Sequence, residues 1–203
     1  VISLTGVGAR FSSLLLGLAG VSQLLALFFA MLISIMLGMG MPTTAAYAVA
    51  ASVVAPGLIN IGIAPLTAHF FVFYFAVVSA ITPPVALASY AAAGISGDNP
   101  MGTSVASFKI GLAAFIVPFM FFYSPAMLME GSAMQILRVG LTATLGIVLL
   151  SGMVQKWFFG PVNLPQRLVM LVGAMFLIYG GIYTDIVGLA IGTVPVSYTH
   201  LTL

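Results

Sequence analysis

The segment from Gly38 to Thr44 most constrains the fold of this chain, because it interrupts a long apolar run with two glycines, a proline and two threonines. The apolar arm before it, Leu14 to Leu37, is long enough to cross a bilayer, and the arm after it, Ala45 to Val54, is shorter. Backbone groups released from a helix find no water in hydrocarbon, so such a break is tolerated only inside protein or beside an aqueous cavity. Discontinuous helices are typical of transport sites. We therefore predict a re-entrant hairpin over residues 14–58 with its tip at this segment.

A second break follows at Thr82-Pro83-Pro84, after the apolar run from Phe70 to Ile81. Neither proline donates a backbone hydrogen bond, and Pro84 biases Pro83 away from helical geometry. The carbonyls of Val78 to Ala80 are then expected to lose their helical partners. Free carbonyls and a threonine hydroxyl are hard oxygen ligands, which suit a small cation. The sequence thus predicts a broken helix over residues 64–93, opened by Ala64-Pro65 because proline is tolerated in a first turn.

Composition sets the class of protein. The 203 residues are 62% hydrophobic and 4% charged, with a mean hydropathy of +1.26, whereas soluble domains carry about 25% charged residues. Apolar segments have helical length and show no strand-like alternation, so we predict an all-α integral membrane protein with several crossings rather than a barrel. The net charge of +2 is too small to indicate a nucleic-acid partner, and cysteine is absent, which excludes disulfides and cysteine metal sites.

The remaining chain predicts three further crossings separated by loops. The crossings are expected at 103–123, 133–152 and 167–190, and loops at 5–13, 94–100 and 155–166, the last with Trp157 as an interfacial anchor. We expect the chain to be a fragment of a longer protein. Residues 195–203 depart abruptly from the apolar pattern and resemble translated sequencing adapter, so we expect a non-native tail; a genuine polar tail is the alternative.

No catalytic constellation is visible, so we do not expect an enzyme. His69 is a lone histidine near a helix start, and a packed or interfacial role is favoured over a proton relay. Lys109, Arg138 and Asp185 lie within a few turns of predicted helix ends, where long side chains reach the interface. We interpret them as anchors, with Lys109 deep enough to pair with a buried partner.

The two breaks and their spacing resemble a known family. GMGMPTTAAY, followed about forty residues later by ITPPVALASYAAAGISG, is similar to the large membrane subunit of TRAP transporters, which are tripartite, binding-protein-dependent secondary transporters. LGLAAFIVPFMFFYSPAMLMEG and GIYTDIVGLAIG resemble the form in which small and large membrane subunits are fused. The resemblance covers roughly residues 10–194.

The resemblance implies the second inverted repeat of an elevator-type secondary transporter, in residues 1–124, followed by a C-terminal helical extension in 125–194. It implies sodium-driven import of organic anions such as carboxylates across a bacterial or archaeal inner membrane, with sodium as coupling ion and no other cofactor. Expected partners are a periplasmic substrate-binding protein and the rest of the fused permease, namely the small-subunit region and the first repeat. Our hypothesis for the sodium site comprises Gly38, Gly40, Thr43, Thr44, Thr82 and Pro83.

Half-helix N-termini are positive by their dipoles, and the one opened by Thr43 and Thr44 is expected to help hold the anion. Two other classes of protein are alternatives to a transporter. A membrane enzyme requires a nucleophile, an acid–base pair or a metal cluster, none of which is visible. A scaffold or assembly subunit without its own transport site does not require two polar breaks. Sodium-dependent uptake separates the transporter from both.

Overall fold

The computed structural model describes the backbone of residues 6–201 and the side chains of residues 6 and 8–193. Within this part of the chain the regular structure is helical: α1 (Val7–Ala19), α2 (Gln23–Gly38), α3 (Thr43–Val53), α4 (Ala55–Asn60), α5 (Pro65–Val78), α6 (Leu87–Ser96), α7 (Pro100–Gly111), α8 (Val117–Tyr123), α9 (Ala133–Gln155), α10 (Leu164–Tyr179) and α11 (Ile182–Leu201). Three described segments are long and apolar enough to cross a membrane: Thr43–Asn60, Pro100–Tyr123 and Ala133–Gln155. The predicted all-α membrane class is confirmed.

The chain packs as two compact units that divide between Phe108 and Lys109. This is a boundary of packing, and the functional regions predicted over 1–124 and 125–194 stay predictions. The side chains of the predicted tail, residues 195–203, lie outside the part that the structure describes.

In the first unit, α2 packs against α1, α3 and α5. Its fully buried Ala26 and Ala30 allow the neighbouring helices to approach closely. From α5, Phe71 and Phe75 supply the largest buried side chains, and their ring centroids lie 4.9 Å apart. The small residues of one helix and the aromatic residues of another thus build this core.

The N-terminal helices differ from the sequence predictions in two ways. The predicted loop at 5–13 is wrong over its described part, because α1 begins at Val7. The apolar run from Leu14 to Leu37 is not one helix, because the chain leaves helical geometry between α1 and α2, where Ser22 is extended. Glycine is a poor helix former and serine competes for backbone hydrogen bonds, so Gly20 and Ser22 together end one helix and begin the next.

Helix boundaries in the middle of the chain shift by smaller amounts. The arm predicted to end at Pro56 continues as α4, whose first turn accommodates that proline. The predicted start at Pro65 is confirmed. The loop predicted at 94–100 is shorter, since α6 continues to Ser96 and ends at Gly97. The crossing predicted at 103–123 lies within the candidate span Pro100–Tyr123 and contains a 3-10 segment just before Pro118.

The second unit is built on three long helices. Capping boxes begin two of them: Ser132 with Gln135 in α9, and Asn163 with Gln166 in α10. The crossing predicted at 133–152 is confirmed and extends to Gln155. The crossing predicted at 167–190 is wrong as a single helix, because the chain breaks at Gly180, whose φ of +77° favours glycine.

Glycines set the helix spacing in this unit. A methyl group added at Gly188 of α11 would lie 2.9 Å from the backbone nitrogen of Leu177 and 3.0 Å from the carbonyl oxygen of Gly173. One added at Gly146 of α9 would lie 3.2 Å from the carbonyl oxygen of Ala174. Both flanking helices therefore approach the backbone of α10 as closely as glycine allows, which is how helices associate in lipid.

Candidate functional site

The first break separates α2 from α3. Helix α2 ends at Gly38, residues 39–42 are non-helical, and α3 begins at Thr43. Gly40 has a φ of +77°, a conformation that side chains rarely adopt. The tip closes through a long hydrogen bond of 3.4 Å from the Met41 N–H to the Gly38 carbonyl oxygen. The predicted interruption is confirmed and is narrower than predicted. Whether the two arms return to one face of the membrane stays a prediction.

The second break begins with a 3-10 turn over Ser79–Ile81 and continues through Thr82, Pro83 and Pro84. The Thr82 hydroxyl donates to the Val78 carbonyl oxygen at 2.9 Å, and the Thr82 N–H donates to the Ser79 carbonyl oxygen at 3.1 Å. The expectation that the carbonyls of 78–80 are all free is therefore wrong for Val78 and Ser79. The Thr82 N–H serves the Ser79 carbonyl, whose helical donor would have been residue 83, and the Thr82 hydroxyl serves the Val78 carbonyl that this N–H would otherwise have bonded.

Tyr90 of α6 forms a hydrogen bond to the C-terminal side of this break. Its hydroxyl donates to the Pro84 carbonyl oxygen, six residues earlier in the chain. The peptide between Pro83 and Pro84 is cis. Hydrogen bonds from Thr82 and from Tyr90 of α6 thus hold the two sides of the non-helical segment. The backbone carbonyl oxygens of Val78 and Pro84 accept them.

The two breaks meet in space. A methyl group added at Gly38 would lie 2.6 Å from the Oγ of Ser79 and 3.1 Å from the carbonyl oxygen of Ala76. One added at Gly40 would lie 3.5 Å from Cγ1 of Val85. Gly38 therefore stands against the first residue of the second break, and Gly40 stands against the residue that follows Pro84.

Burial differs among the predicted site residues. Gly38 and Thr82 are buried and Pro83 is half-buried, whereas Gly40, Thr43 and Thr44 are exposed. The expectation that the whole segment 38–44 is buried among helices is wrong for these three residues and for Pro42, which is also exposed. The closest contact with the second break comes from Gly38 at the end of α2, and in the first turn of α3 Thr43 and Thr44 are exposed while Ala46 is buried.

Ser79 belongs to the site although sequence reasoning missed it. It is buried, and its hydroxyl donates to the Ala76 carbonyl oxygen at 2.6 Å. A hydroxyl that donates inward keeps its lone pairs free to accept. Ser79 therefore presents an oxygen acceptor beside Gly38, and Thr82 presents a second one three residues further along the break. The available signal was a serine three residues before Thr82 at the end of an otherwise apolar helix.

The N-terminus of α3 has no side-chain cap. Pro42 stands at the N-cap position, where it offers no oxygen to the first backbone N–H groups, and Thr43 and Thr44 form the exposed first turn. Those N–H groups have no intrahelical partner, and the helix dipole makes this end positive. The geometry suits an anionic oxygen, which is the ligand expected for this turn.

His69 is packed between helices. Its Nδ1 lies 2.9 Å from the hydroxyl oxygen of Tyr47, so α3 and α5 are joined by a hydrogen bond. The Tyr47 ring also packs edge-on against Phe73, at 5.4 Å between centroids. These residues line an open apolar groove together with Leu66 and Phe70. This contact fits the packed role that the sequence favoured for His69 over a proton relay.

The charged residues predicted as anchors divide into two groups. Lys109 is exposed. Asp185 is only 5% exposed, and its Oδ2 forms an ion pair with NH1 of Arg138. The anchor interpretation is wrong for this pair, because the break at Gly180 places Asp185 in the first turn of a new helix rather than near the far end of a long one. No cluster of three or more His, Asp or Glu residues capable of holding a metal ion occurs among the described residues.

Fold and site together define a polytopic helical membrane protein in which two interrupted helices are joined at their breaks. Residues 1–136 match the family described as the tripartite ATP-independent periplasmic transporter, DctM component. Because the match covers two thirds of the chain and includes both breaks, the chain belongs to this family and is a membrane component of a TRAP transporter. This is a family of transporters and not of enzymes.

Other comparisons add no closer relative. No curated protein matches the chain, and no solved structure matches it. The family match ends inside α9, so α10 and α11 lie beyond it. The resemblance of the C-terminal extension to the fused form of the permease stays a prediction.

Proposed function

We propose that this chain contributes the ion and substrate site of a sodium-coupled permease that imports organic anions, carboxylates in particular, delivered by a periplasmic binding protein. The observation that carries the proposal is the contact between the breaks, in which Gly38 stands against Ser79 and Gly40 against Val85. In secondary transporters, unwound backbone and half-helix ends hold the coupling ion and the substrate.

The chemistry of the breaks supports a monovalent cation. Ser79 and Thr82 offer hydroxyl oxygens, and the residues proposed from the sequence, Gly38, Gly40 and Pro83, offer backbone carbonyls. The chain up to Phe108 has one acidic residue, Asp98, which is exposed and lies in the loop before α7. A divalent ion among neutral oxygens would keep most of its charge uncompensated, so sodium is the better match to this set.

The substrate anion is assigned to the first turn of α3. The backbone N–H groups of Thr43 and Thr44 are uncapped and exposed, and the dipole of α3 attracts a carboxylate. The anion then lies at the same break as the cation, and their mutual attraction couples the two binding events. Thr43 and Thr44 are thereby moved from the ion shell proposed from the sequence to the substrate side.

Reconstitution tests the proposal. The complete permease, with its small-subunit region and first repeat, is reconstituted in liposomes. A radiolabelled dicarboxylate and the binding protein are supplied on the outside. We expect uptake only when an inward sodium gradient and the binding protein are both present. Uptake at full rate without the binding protein would contradict the partner assignment. Uptake driven equally by a proton gradient or by ATP would contradict sodium coupling.

The same preparation separates the transporter from a scaffold subunit. A scaffold without its own transport site predicts that substitutions at both breaks leave uptake unchanged once assembly is intact. We expect Thr43→Pro, which is tolerated in a first turn but removes one N–H donor, to raise the substrate concentration for half-maximal uptake. Ala133→Pro makes the same change at the first position of α9, a helix of the second unit, and serves as the control.

A further inference from the structure

The second unit contains a partly buried ion pair between two helices, formed by residues that are 47 positions apart in sequence. Arg138 lies in the second turn of α9 and Asp185 in the first turn of α11. NH1 of Arg138 donates to Oδ2 of Asp185, and NH2 donates to the Gly180 carbonyl oxygen at 3.1 Å. One guanidinium therefore binds both sides of the break between α10 and α11.

The dipoles of α10 and α11 favour the positions of the two charged side chains. Gly180 is the C-cap of α10, where unsatisfied carbonyls carry partial negative charge, and it faces the Arg138 cation. Asp185 is an acid in the first turn of α11, where free N–H groups carry partial positive charge. Each charged side chain thus complements the helix end that it contacts as well as its ionic partner.

The break itself is closed by local hydrogen bonds. The Gly181 N–H donates to Thr184 Oγ1 at 3.0 Å, and the Asp185 N–H donates to the Gly181 carbonyl oxygen at 2.8 Å. These bonds fix the direction in which α11 leaves α10. They do not reach α9, so the Arg138 side chain makes the polar link between α9 and the break.

Burial gives the pair its energetic weight. The Asp185 side chain is 7% exposed and that of Arg138 is 31% exposed. The second carboxylate oxygen, Oδ1, is buried without a hydrogen-bond partner, while the nearby Thr142 hydroxyl donates to the Val139 carbonyl oxygen at 3.3 Å. Removing Arg138 would leave the buried carboxylate without its ionic partner, with the dipole of α11 and the nearby Thr142 hydroxyl as its remaining support, which costs more than the intact pair contributes.

We propose that Arg138 and Asp185 are positioning residues that clamp the α10–α11 break to the second turn of α9, and that their role depends on mutual charge compensation rather than on either charge alone. The clamp lies beyond the residues matched to the transporter family, and it holds α9, α10 and α11 as one body. The apolar contacts at Gly146 and Gly188 pack these helices, and the clamp sets their axial register.

A double-mutant cycle in the full-length permease tests the clamp. The variants are the single changes Arg138→Met and Asp185→Leu, the apolar pair that combines them, and Asp185→Asn as a further single change. The readout is the unfolding equilibrium in mixed micelles. We expect each single variant to destabilise the protein. We expect the unfolding equilibrium constant of the apolar pair to be at least about threefold nearer to the wild-type value than the sum of the two single effects predicts, which is the range measured for polar pairs in membranes. Glu130→Gln and Lys109→Gln remove exposed charges and serve as controls.

A local readout separates a clamp from general stability. Hydrogen exchange at residues 180–186 is expected to accelerate in Asp185→Asn, while α2 and α5 keep wild-type protection. If the single variant does not accumulate, recovery of abundance by the apolar pair supports the clamp. An apolar pair that is no better than Asp185→Asn, or single variants that behave like the Glu130→Gln and Lys109→Gln controls, would overturn the proposal.

Discussion

At the scale of single residues, the closest approach between the two breaks is made by Gly38. A methyl group there would lie 2.6 Å from the Ser79 hydroxyl oxygen and 3.1 Å from a backbone oxygen of α5. Serine can rotate away from the new methyl group only by giving up its hydrogen bond to Ala76. The contact therefore permits glycine and opposes alanine.

We expect Gly38→Ala to lower the free energy of unfolding by about 1–3 kcal/mol, the usual cost of forcing extra volume into a packed site. Gly94→Ala is the matched control, because Gly94 lies in α6 with nothing within 4 Å of the added methyl group. Alanine is the better helix former, so the control should be neutral or slightly stabilising. Unfolding of the purified permease in detergent measures both. Equal stability of the two variants would contradict the contact.

The residues of the site were partly predictable from sequence. Thr82 and the glycines of the first break were identified because proline, glycine and threonine disturb an apolar helix in known ways. Ser79 was missed because a serine in a helix has no fixed role until its neighbour is known. Asp185 and Arg138 were placed as separate anchors because sequence shows their positions in helices but not a partner 47 residues away.

At the scale of helices, glycine either remains inside a helix or marks its end. Gly173 and Gly188 stay helical and let α10 and α11 touch, whereas Gly20 follows the end of α1 and Gly180 ends α10. Local propensity disfavours all four equally, and only the packing of neighbouring helices decides between them. The breaks with proline were therefore predicted, and the breaks at Gly20 and Gly180 were not.

Helix packing in the second unit gives a direct prediction. We expect Gly188→Ala to separate α10 from α11 and to cost about 1–3 kcal/mol, because the added methyl group meets backbone atoms that cannot rotate away. Gly140→Ala in α9 has open space and serves as the control. The midpoint of thermal unfolding in detergent checks both variants. A midpoint for Gly188→Ala at or above that of Gly140→Ala would contradict the close approach.

At the scale of the whole molecule, composition alone defined the class. An apolar chain with 4% charged residues satisfies its backbone with helices when it is placed in lipid. The pairing of the two breaks required three-dimensional structure, since residues 38–40 and 79–85 are forty residues apart and either break alone is compatible with a simple kink. The family match identifies the chain as a TRAP transporter component, and an ion and substrate role for that pairing is our proposal.

The most direct measurement of the central claim is the sodium dependence of uptake in Thr82→Val. Valine keeps the shape of threonine and removes the hydroxyl oxygen, which lies in the second break and is hydrogen-bonded to the Val78 carbonyl oxygen. We expect the sodium concentration for half-maximal uptake by the reconstituted permease to rise about tenfold or more, since a hydrogen-bond-like contact to a charge is worth roughly 1.5–3 kcal/mol. Abundance should stay at the wild-type level.

Thr144→Val is the matched control, because Thr144 also donates its hydroxyl hydrogen to the carbonyl four residues earlier, at 2.7 Å, but lies in α9 of the second unit. It removes the same kind of local hydrogen bond from a helix that contains neither break. The account predicts a shifted sodium dependence in Thr82→Val and a wild-type dependence in Thr144→Val. Identical sodium activation in both variants and wild type would contradict an ion site at the paired breaks.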